Sequence, residues 1–437
     1  MRTYAVVYVK SVEDPFNKEN DRMATIAPFR AVRPKSEFAS QVAAPPYDVV
    51  SLQEARELAD GNPYCFLRIG RAELELGDGV DPYSAEVYQR GADNLRKLIK
   101  DGVLAQEPQP LFGVYRQKWG QHEQTGIVAL ASVDEYDQGI IKKHEYTRPV
   151  KEADRVRIIE THESQSGPVL LFFRQTAKID QWLKGVTSTK PDVHFVAHDK
   201  IEHTVWSVRD PSAIQEVVKN FQDLPALYIA DGHHRSAAAS RVRASRGKAG
   251  ALPAGKHEEG FLAVIFPHDQ LQILPYNRVV RDLNGFTPQA LLEKLSPHFE
   301  LQVTAQPGQP PAAGFDMYLE GQWHRAKPKE DPSLNSQQDP VRALAVSELT
   351  ERVLDPLLGI KDQRSDPRID FVGGIRGTQQ LAALVDSGDW AVAFWLYPTT
   401  VEELMAVADA DRVMPPKSTW FEPKLRDGLF IHMLHDK

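Results

Sequence analysis

Leu227–Ala244 reads LYIADGHHRSAAASRVRA, and this stretch decides the fold because its character changes in the middle. The first four residues are apolar or aromatic and favour a strand, Asp231 and Gly232 interrupt them, and small residues at helical spacing follow. We therefore predict a buried strand that ends near Ala230 and a helix that begins near His234.

This strand-to-helix junction has the chemistry of an anion-binding site. The first N–H groups of a helix have no intrahelical partner, and the helix dipole favours negative charge beside them. Gly232 lets a ligand approach the backbone closely, and Arg235 can grip phosphate oxygens as a fork. His233 and His234 can donate further hydrogen bonds, while Asp231 is a candidate ligand for Mg²⁺.

Two other interpretations of the junction compete with phosphate binding. In the first, Asp231 is an ordinary helix N-cap, Gly232 is a turn residue and the two histidines lie on the surface. In the second, His233 and His234 bind a metal ion. The metal site is disfavoured because adjacent side chains at a helix start point apart, and no cysteine or third histidine nearby completes a ligand set.

Composition limits the function before any motif is considered. The chain has 437 residues, which predicts two or three domains, and its 42% hydrophobic and 26% charged residues are typical of a globular protein. A net charge of −8 disfavours duplex DNA as the main partner. No apolar run is long enough to span a bilayer, and no signal peptide is evident, so we expect a cytoplasmic protein with no membrane partner.

The order of hydrophobic patterns and breaks predicts a mixed α/β (α+β) fold with five segments. Residues 1–23 are a polar tail, and 24–130 form an N-terminal α/β region. Strands and helices alternate through 131–303, which we predict to be the core that carries the DGHHR motif. The segment at 304–314, TAQPGQPPAAG, has the composition of a linker, and 315–437 form a C-terminal α/β region.

Six motifs occur in order along nearly the whole chain: FRAVRP, AAPPYDVVS, GNPYCFLR, KKHEYTR, IADGHHR and MPPKSTWFEPK. With these motifs the chain resembles the family catalogued as domain of unknown function 1015. YIADGHHRSAAA itself is similar to the phosphate-binding signature of the ParB/sulfiredoxin superfamily, in the Asp-Gly-His-x-Arg form of the free serine kinases. The resemblance implies a ParB/sulfiredoxin-like nucleotide-binding core with N-terminal and C-terminal α/β additions, which binds ATP or ADP together with Mg²⁺.

A second motif extends the resemblance to the serine kinases. In those enzymes the glutamate of a His-Glu pair, ahead of a helix with an Arg-Val step, accepts the proton of the substrate hydroxyl. Here IIKKHEYTRPVKEADRV supplies His144 and Glu145, followed by Arg155 and Val156, so the resemblance implies catalytic roles for His144 and Glu145. The competing interpretation is a solvated charged loop. Four cations would add positive potential for an anionic ligand: Lys142, Lys143, Arg148 and Lys151.

The sequence also departs from the superfamily pattern. An extra segment at 174–225 separates the predicted strand GPVLLFF from YIADGHHR. No helix-turn-helix follows the motif, which disfavours ParB-like DNA partitioning and specific nucleic-acid binding. His234 stands where a sulfiredoxin has its catalytic cysteine, so that chemistry is not expected.

Three other segments contribute candidate residues for substrate binding or for support of the site. They are Tyr47 and Asp48 in AAPPYDVVS, Asn277 and Arg278 in LPYNRVVRDL, and Lys417, Ser418 and Thr419 in MPPKSTWFEPK. The last motif also offers Lys424 and an aromatic pair for stacking. Pro-Pro loops with aromatic residues are equally typical of packing between domains, and Arg278 could simply pair with a carboxylate.

Three functions are compatible with these motifs. The first is a nucleotide-dependent kinase that phosphorylates the hydroxyl of a small metabolite, with free serine or a related hydroxy acid as acceptor. The second is a regulatory protein of ParB-like type that binds nucleotide without transferring phosphate. The third is a phosphate-ester hydrolase.

Overall fold

The computed structural model describes residues 24–248, 259–308, 314–329 and 339–435. The tail predicted at 1–23 lies outside these ranges. The strands are β1 (Ile26–Ala27), β2 (Val32–Pro34), β3 (Leu104–Gln106), β4 (Phe112–Trp119), β5 (His122–Ser132), β6 (Ile141–Lys142), β7 (Ser164–Gln165), β8 (Val169–Phe173), β9 (Val193–Val196), β10 (Glu202–Val208), β11 (Leu227–Asp231), β12 (Gly260–Pro267), β13 (Gln272–Leu274), β14 (Tyr276–Val280), β15 (Phe299–Val303), β16 (Phe315–Leu319), β17 (Gln322–Pro328), β18 (Ile369–Gly373), β19 (Val392–Leu396), β20 (Trp420–Glu422) and β21 (His432–Met433).

Helices cover the faces and ends of the sheets. They are α1 (Ala39–Val42), α2 (Leu52–Ala59), α3 (Leu67–Gly70), α4 (Ala85–Lys100), α5 (Val133–Asp137), α6 (Pro149–His162), α7 (Ala177–Thr187), α8 (Pro211–Phe221), α9 (His233–Lys248), α10 (Pro288–Leu295), α11 (Ala345–Leu349), α12 (Gly377–Asp386) and α13 (Val401–Asp409). Four short 3₁₀ helices and one π-helical turn complete the described helical structure. Over these described segments, no helix combines the length and apolarity needed to cross a bilayer.

The largest sheet has the strand order β6-β11-β8-β12-β5-β4-β10-β9, with β1 paired to β5. β6 and β11 are parallel, as are β8 and β12, whereas the other pairs along this order are antiparallel. The central strands β8 and β12 are buried along their entire lengths, as their uninterrupted apolar sequences require. The mixed α/β fold class is thereby confirmed.

Helix α9 packs closely on this sheet because its first turns are rich in alanine. Ala237 and Ala239 join the core beneath the sheet, while Ala238 and Val242 pack against Ile159 of α6. Small side chains let the two helices and the sheet approach one another, so the DGHHR motif is held on a rigid support.

The second sheet has the order β15-β17-β16-β19-β14-β18. It corrects the expected linker, because β15 and β16 both pair with β17 and the chain at 304–314 therefore connects strands of one sheet. Of that segment, 309–313 lie outside the described residues. The expected core is not a separate unit at this end either, since its strand β14 pairs with β18 and β19.

The boundary expected between 130 and 131 also does not match the sheets. It falls within β5, which pairs with β4 from the N-terminal region and with β12 from the expected core. Hydrophobic patterns along the chain contain no information on which strands become neighbours.

The extra segment at 174–225 forms α7, β9, β10 and α8. Its two strands occupy one edge of the large sheet, and β6 and β11 occupy the opposite edge. The insertion therefore extends the sheet on the side away from the DGHHR motif.

Candidate functional site

The DGHHR motif lies at the junction predicted from the sequence. β11 ends at Asp231, one residue later than expected, and α9 begins at His233, one residue earlier. Gly232 between them has φ +100°, a conformation that disfavours any residue with a Cβ. Its carbonyl accepts the first helical hydrogen bonds, from the N–H groups of Arg235 at 2.8 Å and Ser236 at 3.1 Å.

The His144–Glu145 pair reaches this junction through strand pairing. β6 runs parallel to β11, with Ile141 opposite Leu227, so the residues that follow both strands emerge at the same end. The His144 and His233 rings meet edge to face, with centroids 4.5 Å apart. The backbone N–H of His144 also points to Nε2 of His233 at 3.4 Å. Two motifs far apart in sequence thus form one cluster.

The cluster opens into a cleft with a volume of about 400 Å³. Glu145 and the whole DGHHR motif from Asp231 to Arg235 line this cleft. The other sequence-predicted residues in its wall include Tyr47, Asp48, Arg148 and Lys417. A space of this size at a helix N-terminus is compatible with a bound small molecule.

Arg235 is nearly buried and is surrounded by acceptors. Its guanidinium donates to the Pro168 carbonyl at 2.6 Å and lies 3.7 Å from Asp48. Burial alone lowers the pKa of Arg235, but the nearby carboxylates of Asp427, Asp48 and Asp231 raise it above its ordinary value. Arg235 is therefore a fixed positive charge at the cleft.

Asp231 forms an ion pair that its place in the sequence did not indicate. Its Oδ2 lies 3.2 Å from Nζ of Lys424, which comes from the MPPKSTWFEPK motif. Burial raises the pKa of Asp231, but Lys424 and Arg235 outweigh that effect and hold it below its usual range. The carboxylate is thus ionised and partly neutralised by a lysine.

Glu145 is half-buried, and burial raises the pKa of its carboxyl. Lys417 acts in the opposite direction and Asp231 adds to the rise. Lys417 has φ +59°, and its ammonium lies over the Tyr276 ring at 5.4 Å. The result is a carboxylate with raised proton affinity beside a cation at the cleft wall.

Both histidines of the motif, and His144 beside them, favour the neutral form. Burial lowers the pKa of His144 to about 4 and lowers that of His233 well below its ordinary value. Burial, followed by the charge of Lys417, also lowers the pKa of His234. Nε2 of His234 accepts a hydrogen bond from the Arg148 backbone N–H at 2.9 Å, which attaches the start of α6 to the start of α9.

The Pro-Pro loop that precedes Tyr47 is tied to the C-terminal segment. Ala44 and Asp427 exchange backbone hydrogen bonds of 3.2 and 2.9 Å. The guanidinium of Arg155 then stacks on the Tyr47 ring at 3.5 Å and binds Asp154 at 2.7 Å. Burial raises the pKa of Tyr47 to about 12, so its hydroxyl stays protonated.

Three predicted residues of the KKHEYTR and MPPKSTWFEPK motifs lie behind the cleft wall. Lys143 places its ammonium over the Tyr136 ring at 3.8 Å. The Ser418 hydroxyl donates to the Pro415 carbonyl at 2.6 Å, and Thr419 Oγ1 lies 3.3 Å from His144 Nε2. These contacts support the loops from behind.

Asn277 and Arg278 lie in β14 of the second sheet and are fully buried. Asn277 Oδ1 accepts from the Leu396 backbone N–H at 3.2 Å. Arg278 donates to the carbonyl of Tyr276 and, at 2.9 Å, to that of Pro416. Neither residue lines the cleft, and Arg278 contacts carbonyls, one of them on Pro416 beside the cleft residue Lys417, rather than the carboxylate considered from the sequence.

A second, smaller space shares Arg235 and Arg155 with the cleft and is also lined by Gly167. Within the described part of the chain, Ser164 Oγ and Asp427 Oδ1 have no hydrogen-bond partner, although both are buried. Burial raises the pKa of Asp427 to about 6, with Arg235 opposing the rise. Sequence reasoning missed Asp427, because an isolated aspartate in KLRDG carries no recognisable signal.

The chain matches the family described as a protein of unknown function (DUF1015) over residues 26–347. It belongs to this family. The match includes the KKHEYTR and IADGHHR motifs and therefore most of the cleft. The sequence has no significant match among curated proteins.

Solved structures with a similar arrangement include three proteins of low sequence identity to this member of the DUF1015 family. A free serine kinase in complex with AMP is 13% identical, with a TM-score of 0.34 and coverage of 69% of this chain and 91% of the kinase. SbnI from Staphylococcus aureus is 14% identical, with a TM-score of 0.36 and coverage of 70% and 87%. A conserved hypothetical protein from Pyrococcus furiosus is 14% identical, with a TM-score of 0.33 and coverage of 70% and 95%.

Proposed function

We propose that the protein is a nucleotide-dependent kinase that transfers phosphate to the hydroxyl of a small metabolite, free serine or a related hydroxy acid. One observation carries this proposal: the Glu145 carboxylate and the helix start at Arg235 line the same cleft. Phosphoryl transfer needs little covalent chemistry from a protein, but it needs the donor phosphate and the attacking hydroxyl in line.

The phosphate end of the cleft is the turn between β11 and α9. Backbone N–H groups at the start of α9 and the guanidinium of Arg235 supply the donors that an anionic phosphate requires. Lys417 and Arg148, which also line the cleft, add positive charge near the same end. In this proposal ATP or ADP lies with its transferable phosphate over Gly232.

The acceptor end is next to Glu145. A general base works best when its pKa is near the operating pH, and burial shifts the pKa of Glu145 upward from its ordinary value. His144 lies behind it as a buried, neutral neighbour that fixes the backbone. Glu145 would take the hydroxyl proton while the new oxygen–phosphorus bond forms and the bond between the transferred phosphate and the nucleotide breaks, which leaves ADP from ATP or AMP from ADP.

Mg²⁺ would reduce the charge of the nucleotide phosphates. The cleft carries carboxylates on Asp48 and Asp231, and carboxylate oxygens are the ligands Mg²⁺ prefers. Asp231 engages Lys424 through Oδ2, so Oδ1 is the oxygen that would hold the ion. Because a nucleotide donor and a metabolite acceptor meet in the cytoplasm, the proposal also implies a cytoplasmic location.

Product analysis tests the proposal directly. The purified chain is incubated with Mg²⁺, with ATP or ADP carrying a labelled terminal phosphate, and with serine or other small hydroxy acids. A labelled phosphate ester of one acceptor, formed much more slowly with Glu145→Gln, is the expected result. Nucleotide binding without turnover would favour the regulatory protein instead, and release of free phosphate without an acceptor would favour the hydrolase.

A further inference from the structure

Three potential metal ligands converge beside the cleft: His144, Glu145 and His233. One ligand atom from each lies within 4.8 Å of the other two. The sequence pointed to His233 and His234 as the histidine pair, but the structure brings His144 to His233 instead. The missing third ligand therefore comes from the loop after β6, 89 residues before His233.

The surroundings of His144 provide an independent second observation. This side chain is only 2% exposed, and its Nδ1 has no hydrogen-bond partner of good geometry among the residues that the structure describes, although the Ile229 backbone is close enough to oppose the lowering of the His144 pKa by burial. A buried ring nitrogen without a partner is costly, and such groups in native proteins commonly have a functional explanation. Its other nitrogen is 3.3 Å from the Thr419 hydroxyl, which orients the ring as an outer partner orients a metal-bound histidine.

We propose that His144, Glu145 and His233 form a binding site for a divalent transition-metal ion such as Zn²⁺. Two imidazoles and one carboxylate are a ligand set that Zn²⁺ accepts, with a fourth position left for water or a ligand oxygen. That fourth position faces the cleft, which both Glu145 and His233 line. The site is distinct from the proposed Mg²⁺ position at Asp231, where oxygen ligands dominate.

The geometry requires only a small closure. Zn²⁺ ligands at bond lengths of about 2.0–2.2 Å lie roughly 3.5 Å apart in a tetrahedron, compared with separations of up to 4.8 Å here. Glu145 is half-buried and its side chain has room to rotate toward the two buried rings, which already meet edge to face.

The metal site has one consequence that rests on the proposed kinase function. A carboxylate oxygen that coordinates a divalent ion is a poor proton acceptor, so the bound ion and the base role of Glu145 exclude each other. Transition-metal ions would then inhibit phosphate transfer without displacing the nucleotide from Arg235.

The site is tested by titrating Zn²⁺ into the chelator-stripped full chain, without nucleotide, in competition with a chromophoric chelator. We expect one ion per chain. Glu145→Gln and His233→Asn should each weaken Zn²⁺ binding by at least the roughly 10- to 100-fold that loss of an outer partner costs. Cobalt substitution should give the visible absorption of a low-coordinate site in the wild type and lose it in Glu145→Gln.

Two controls separate this site from other histidines. His234→Gln removes the neighbouring motif histidine, and His298→Gln removes an exposed one, so both should bind Zn²⁺ as the wild type does. Equal Zn²⁺ affinity in wild type and Glu145→Gln, or no stoichiometric binding by the folded wild type, would overturn the proposal. Glu145→Gln preserves side-chain size at a half-buried position, which keeps the test decisive if His233→Asn does not fold.

The metal site and the kinase function can fail separately. Stoichiometric Zn²⁺ binding at these residues in a protein that never transfers phosphate would sustain the site and refute the kinase. Phosphate transfer by a chain that binds no Zn²⁺ would sustain the kinase and refute the site. Full phosphate transfer with Zn²⁺ bound would show that the ion does not coordinate Glu145.

Discussion

Arg235 and Arg278 are both buried arginines, yet their surroundings give them opposite properties. Arg235 follows β11 and faces a cleft with three carboxylates near it, and these raise its pKa despite burial. Arg278 lies inside the second sheet and donates to backbone carbonyls, and burial lowers its pKa to about 9. Burial of an arginine therefore does not by itself indicate a binding site, whereas compensating charges beside open space do.

The strongest test of the cleft removes its proposed base. Glu145→Gln keeps the size of the side chain but cannot accept the hydroxyl proton. We expect phosphate transfer to fall by roughly 10²- to 10⁴-fold, the usual contribution of a positioned base, while nucleotide affinity persists. Full transfer by this variant in an established assay would refute the role of Glu145.

Arg278→Ala leaves a cavity in the second sheet and removes the donor to the Pro416 carbonyl. We expect the free energy of unfolding to fall by about 2–4 kcal/mol, measured by denaturant titration. Nucleotide affinity should change less than in an Arg235 variant; a larger change would mean that Arg278 contributes to the cleft after all.

Arg235→Ala should have the opposite effect to Arg278→Ala, with a larger loss of nucleotide affinity than of stability. Loss of one charge-assisted donor weakens nucleotide binding by roughly 1.5–3 kcal/mol, which calorimetry can detect. Arg235→Lys is the matched variant: it keeps the charge but not the fork, and we expect intermediate affinity. If the alanine variant binds nucleotide normally, the phosphate does not lie at this helix start.

The carboxylate beside Arg235 predicts a pH effect. Because burial raises the pKa of Asp427 to about 6, above its ordinary value, the folded state holds this proton more tightly, and the stabilisation is lost as pH rises from about 4 through 6. Asp427→Asn should flatten stability across that window, measured by thermal unfolding. It should also tighten nucleotide binding at about pH 7.5 by roughly 2- to 10-fold, since Arg235 is then less neutralised. Unchanged pH dependence would contradict this.

The smallest expected effect concerns Lys417. Its positive charge lowers the pKa of Glu145, which burial raises, so Lys417→Gln should raise that pKa further. We expect the acidic limb of the pH–transfer profile to move to higher pH. Lys143→Gln is the control, because Lys143 lies behind the cleft on Tyr136 and should leave the limb in place.

Local sequence chemistry predicted the strand, turn and helix around Gly232 to within one residue, because apolar runs, glycine and alanine-rich stretches act over short distances. It also named residues that line the cleft, among them Asp48, Glu145 and Lys417. It did not predict that His144 contacts His233, or that Lys424 pairs with Asp231, because both contacts depend on strand pairing and loop return over long sequence separations. The linker expected at 304–314 was wrong for the same reason: its composition is that of a linker, but the strands on either side of it belong to one sheet.

The position of the 174–225 insertion has a consequence for how this family can vary. The His144–Glu145 loop precedes β8 in the chain. After β8 the insertion adds β9 and β10 at the opposite edge of the sheet, and the chain then returns as β11, which ends at the DGHHR motif. β8 and β11, at the two ends of the insertion, pair with each other in the sheet. The length of the insertion therefore does not affect the cleft. Relatives could lengthen, shorten or replace the insertion and still bring the same two motifs together, provided that β6 and β11 remain side by side.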